Sequence, residues 1–150
     1  MPQSLSQVIV HFIFSTKNRR RLIDADARPR LHAYLATVCR DHKCEVFRVG
    51  GTEDHVHIAT ALGRTISQSE LIERIKTASS KWIKELNAKH FDFEWQHGYG
   101  AFSVSQSHLD KLIHYIDAQE EHHRTRTFEE EYRQFLEKYG IKYDERYVWD

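Results

Sequence analysis

The order in which hydrophobic periods alternate along the chain limits its fold more than any other feature. Gln7 to Thr16 (QVIVHFIFST) is rich in β-branched and aromatic residues and reads as a strand. Asp24 to His42 changes to helical spacing through Leu31, Tyr34, Leu35 and Val38. Cys44–Val49 and His55–Leu62 read as two further strands, joined as a hairpin across Gly50-Gly51 and Glu53-Asp54. Ser67 to Leu86 is again helical: Ser67 and Glu70 fit a capping box, and Leu71, Ile72, Ile75, Trp82 and Ile83 supply the buried stripe. Phe91 to Ser105 reads as strand, glycine bend and returning strand. Helices over Ser107–His123 and Thr127–Tyr139 follow, the last closed by Gly140. The first six elements, β-α-β-β-α-β, predict a ferredoxin-like (split βαβ) α+β fold. The expectation is an antiparallel sheet with helices on one face, plus C-terminal helices, with residues 1–150 forming one domain.

Composition narrows the class. The chain has 150 residues, of which 40% are hydrophobic, enough to bury a core. Lys+Arg and Asp+Glu are 22 each, and this balance excludes a histone-like binder held to nucleic acid by bulk charge. A local basic groove remains open. No apolar run approaches the roughly 20 residues of a membrane span, and no signal-like segment follows Met1. The two cysteines, Cys39 and Cys44, are too few for a disulfide framework. A cytoplasmic protein with reduced thiols is expected. No Gly-rich loop ending in Lys-Ser/Thr is present to cradle a nucleotide cofactor.

Eleven histidines direct attention to metal or acid–base chemistry. His55 and His57 flank Val56 on a predicted strand, where a period of two puts both imidazoles on one face. Two imidazoles so placed can hold a divalent metal, or can simply be solvated. Tyr115 and Gln119 lie one helical turn apart and share a face. They suit a nucleophile and a neutral oxygen ligand, or a half-buried tyrosine and a surface amide. Lys17, Arg19, Arg20 and Arg21 follow the first strand, and Lys76 and Lys81 lie along the second helix. With Trp95, Tyr99 and Phe102 they could neutralise phosphates and stack unpaired bases, unless the cations are merely solvated and the aromatics core.

Together, His55-Val56-His57, the Trp95–Ser105 segment (WQHGYGAFSVS), Tyr115-Ile116 with Gln119, and His122-His123 resemble a known family. They are similar to the single-tyrosine HUH transposases of small bacterial insertion sequences, including their repeat-associated relatives. The likeness runs from Val8 to about Gly140. It implies a ferredoxin-like fold and Mg²⁺ or Mn²⁺ held by His55, His57 and Gln119. It also implies Tyr115 as a nucleophile that nicks and rejoins single-stranded DNA at palindromic hairpins through a 5′-phosphotyrosine link, and a homodimer. Two other readings of the residues are a non-catalytic single-strand binding module and a metal phosphoesterase that uses water.

Overall fold

The computed structural model describes residues 2–150. Four strands form one antiparallel sheet: β1 (Ile9–Ser15), β2 (Glu45–Gly51), β3 (His55–Ala61) and β4 (Gly100–Val104), in the order β2-β3-β1-β4. Helix α1 (Arg28–Asp41) connects β1 to β2, and α2 (Gln68–Leu86) connects β3 to β4. This is the ferredoxin-like arrangement that the order of periods predicts.

The period of two divides the sheet residues between two cores. Val10, Phe12 and Phe14 of β1 and Val56 and Ile58 of β3 pack with Leu31 and Leu35 of α1 and Leu71, Ile75 and Ile83 of α2. Removing these side chains from water is the main stabilising term on that face. The other face of β1 and β4, at Ile13 and Phe102, packs against α5 (Phe128–Lys138) through Phe128, Tyr132 and Leu136. The C-terminal helices therefore cover the side of the sheet that the βαβ helices leave open. Among the described residues, no helix is long and apolar enough to cross a membrane.

Three predicted boundaries move. Helix α1 starts at Arg28 rather than Asp24, because the Asp24 side chain accepts from the Ala27 amide in a turn and Pro29 occupies the first helical turn. The strand predicted from Phe91 is absent except for one bridge between Thr16 and Trp95. The carbonyls of Gln96, His97 and Gly98 turn instead to the Lys76 ammonium. The helix predicted over Ser107–His123 breaks at Ala118, giving α3 (Leu109–Asp117) and a single turn, α4 (Gln119–His122).

Candidate active site

His55 and His57 lie on β3, an interior strand of the sheet, and both face away from the α1/α2 core. Both are fully buried. The reason is overhead: α3, α4 and α5 bring Tyr115, Gln119 and Glu131 down onto the same face. Gln119 Oε1 lies 2.8 Å from His55 Nε2. The rings of Tyr115 and His57 sit edge to face with centroids 5.8 Å apart. The structure thus brings together all four side chains singled out for the chemistry, and Tyr115 reaches the histidines of its own chain.

At the centre is a residue that sequence reasoning passed over. The Glu131 carboxylate is completely buried. Its Oε1 lies 3.1 Å from both His57 Nε2 and His123 Nε2, and 3.4 Å from His55 Nε2. Its Oε2 accepts from the Tyr115 hydroxyl, from Gln119 Nε2 at 3.0 Å and from Arg126 Nη2 at 3.3 Å. Arg126 Nη2 also donates to the Tyr115 oxygen at 2.7 Å. A signal existed: Phe128, Tyr132 and Leu136 mark the buried side of α5, and Glu131 falls inside that stripe. An acid there needs partners.

The electrostatics follow from burial and this carboxylate. Burial alone pushes Glu131 up, but His57, His123 and His55 reverse this and hold it well below the usual carboxylate range. Burial opposes charge on His55, yet hydrogen bonds to Asp54 and Glu131 raise it to about 9. Burial wins at His57, whose pKa falls despite Glu131 because His55 and His123 repel a further charge. Burial and then the Glu131 charge push the Tyr115 hydroxyl up. His11 of β1 is buried behind His57, with its Nε2 at 2.8 Å from His57 Nδ1, and burial and His57 hold it neutral.

His55, His57 and Glu131 each offer one atom to a point from which all three are in reach, the atoms lying within 4.8 Å of one another. Two imidazole nitrogens and a carboxylate oxygen are a donor set that suits a divalent cation, with the Gln119 oxygen beside it. Glu131 adds the negative charge that His55, His57 and Gln119 together lack.

Residues 4–119 match the family model described as IS200-like transposase. The chain belongs to that family. The match ends at Gln119, so α5 and Glu131 lie beyond it. A search of curated proteins finds no match. Among solved structures, a candidate transposase from Deinococcus radiodurans R1 is similar at 17% identity and a TM-score of 0.62, over 79% of this chain and 98% of the other. A repeat-associated (REP) tyrosine transposase bound to a REP hairpin is similar at 17% identity and a TM-score of 0.60, over 82% of this chain and 72% of the other. At these identities the two structures support the fold.

The basic residues singled out in the IS200-like chain are mostly occupied within it. Arg20 pairs with Asp92 at 2.6 Å, Arg21 lies 3.7 Å from Glu53, and Arg19 donates to the Trp149 carbonyl at 2.6 Å. Lys76 gives its three donors to backbone carbonyls, and burial pushes its ammonium down to about 8. Lys17 and Lys81 have no carboxylate partner among the described residues, and Lys81 is exposed. Trp95 and Phe102 are core residues, and the Trp95 indole donates to Ser79. Both rings are buried in packing.

Proposed function

We propose that residues 1–150 act as one transposase domain that cuts and rejoins single-stranded DNA, with Tyr115 as nucleophile. The observation that carries this reading is the convergence of Tyr115, Gln119 and Glu131 on His55 and His57 from three separate helices. A divalent cation, Mg²⁺ or Mn²⁺, held by His55, His57 and Glu131 with Gln119 adjacent would supply positive charge to the scissile phosphate and offset the Glu131 charge that keeps Tyr115 protonated.

The chain's own groups do the rest. Arg126 Nη2 fixes the Tyr115 oxygen, and Glu131 Oε2 accepts the hydroxyl hydrogen, so the nucleophile is held in one orientation. The Tyr115 oxygen forms the new bond to phosphorus as the bond to the 3′ oxygen breaks. The tyrosine proton leaves along its hydrogen bond to Glu131 and passes on to solvent, because the neighbouring histidines hold Glu131 too acidic to keep it, and the departing 3′ oxygen takes up a proton to become a hydroxyl. Attack by another 3′-hydroxyl reverses the step and joins new ends. One phosphodiester replaces another, so no nucleotide cofactor is required.

The hairpin bound by the similar REP-associated transposase supports palindromic single-stranded DNA as substrate, and we propose that the chain works as a cytoplasmic homodimer. The test is incubation of 5′- and 3′-labelled hairpin DNA with Mg²⁺ or Mn²⁺, followed by a denaturing gel. The expected product is a covalent adduct retaining the 3′ label, lost in Tyr115→Phe. Cleavage without an adduct would assign the nucleophile to water.

A further inference from the structure

The Tyr115 hydroxyl is tied to Glu131 and held by Arg126. Tyr115 and Arg126 also line a cavity of about 440 Å³, within the range that holds small ligands. Its wall further includes Lys111 of α3 and Lys138 of α5, together with Phe135 and Tyr139. No aspartate or glutamate lines it, although the chain as a whole carries 22 acidic residues against 22 basic ones. Lys111 and Lys138 form no ion pair among the described residues, whereas Arg20, Arg28, Arg48, Lys89, Arg133 and Arg146 are all paired with carboxylates.

We propose that this cavity seats the nucleotide adjoining the bond that Tyr115 attacks, with its phosphate on Lys111, Lys138 and Arg126 and its base against Phe135 and Tyr139. The inference rests on the DNA-cleaving reading above and adds the subsite. Its argument is positional. A phosphorus atom attacked by Tyr115 must come within about 3–3.5 Å of the tyrosine oxygen, and the open approach to that ring is the cavity. Lys111 and Lys138, which have no carboxylate partner among the described residues, line the cavity beside Arg126, which also holds Tyr115 and Glu131, and the Phe135 and Tyr139 rings offer apolar surface that any base can use. The subsite lies toward Val104, which pairs with Ile9 at the start of β1. The Lys17–Arg21 segment follows the opposite end of that strand, so the two basic regions are separate.

The probe is a fluorescein-labelled single-stranded oligonucleotide, titrated by anisotropy at several salt concentrations in EDTA against full-length protein. All variants carry Tyr115→Phe to prevent turnover. K111Q/K138Q is expected to weaken binding and to reduce the slope of log affinity against log salt by about 1.4, since each phosphate contact on a single strand contributes about 0.7. K43Q/K142Q, two exposed lysines elsewhere, is expected to leave both quantities unchanged. Circular dichroism melting of K111Q/K138Q should match the parent, because both side chains are exposed. An unchanged slope in K111Q/K138Q overturns the subsite while leaving the DNA-cleaving reading intact, and so does an equal loss in K43Q/K142Q. Equal affinity for a duplex of the same length also overturns it. Absence of any single-strand binding by the parent overturns the subsite and the DNA-cleaving reading together.

Discussion

His11 Nε2 and His57 Nδ1 are 2.8 Å apart, with both rings buried and nearly parallel. One hydrogen must lie between them, and its owner sets the chemistry of His57 on its other side. When His11 donates, His57 Nε2 carries a hydrogen and can give it to Glu131. When His57 donates, Nε2 is bare and can bind a cation. On the proposed function, His11 would be a positioning residue for the tautomer of His57 that can bind the cation. His11→Phe keeps a buried ring but removes the acceptor. We expect Mn²⁺ affinity, read by calorimetry or electron paramagnetic resonance, to fall about 10–100-fold. Hairpin affinity in EDTA should stay within twofold, and loss of both together would mean a general packing defect.

The raised His55 pKa makes metal-free stability pH-dependent. An ordinary value of 6.5 in the unfolded chain and about 9 in the folded one means that the folded state binds the extra proton. The stabilisation is complete below about pH 6.5 and is lost as pH rises through 9, amounting to about 3 kcal/mol at most. Chemical denaturation in EDTA should show this decline. Glu131→Gln removes one of the two carboxylates that raise His55, so its profile should be flatter over the same window. An unchanged profile would place the raised pKa on Asp54 alone.

Lys76 tests the division between structural and DNA-binding cations. Lys76→Met deprives three carbonyls, those of Gln96, His97 and Gly98, of their donor. It is expected to cost about 2–3 kcal/mol by denaturant titration. Single-strand affinity per folded molecule should be unaffected; a loss confined to DNA binding would reverse the assignment.

Gly50 on β2 lets the tyrosine helix lie against bare backbone. A Cβ there would meet Ile116 Cγ2 at 2.6 Å and the Ile116 carbonyl oxygen at 2.9 Å. Gly50→Ala must push α3 outward, next door to Tyr115. We expect a stability loss of about 1–3 kcal/mol and a fall in kcat exceeding any rise in KM for hairpin cleavage. A larger change in KM would show that α3 positions DNA rather than the nucleophile.

The edges of the sheet are β2 and β4, and neither has a second neighbouring strand among the described residues. The proposed homodimer predicts twice the chain mass by light scattering at working concentration, and a monomer would contradict it.

The histidine pair was legible because a strand's period is local: residues 55 and 57 must share a face wherever the strand goes. The six-element order was legible for the same reason. Glu131 was not, because its partners lie up to 76 residues away and its neighbours Glu129 and Glu130 made it look like one of several acids favouring a helix N-terminus. The internal partners of the basic run after β1 were not legible either. Arg20 and Arg21 find Asp92 and Glu53 only after folding brings those acids near. The break at Ala118 has no glycine or proline to announce it.

The site gathers its parts from residue 11 to residue 131, and the last to be synthesised is the carboxylate at its centre. At about 5–20 residues per second, α5 follows the tyrosine helix off the ribosome by roughly one to a few seconds. During that interval the nascent chain has its histidines and Tyr115, but not the acid that hydrogen-bonds the tyrosine and completes the three-donor set. On the proposed function, competence to cut DNA is therefore a late event in the life of each molecule, acquired when α5 docks. Premature stop codons between α3 and α5 would yield fragments that carry the family's recognisable motif without a finished centre.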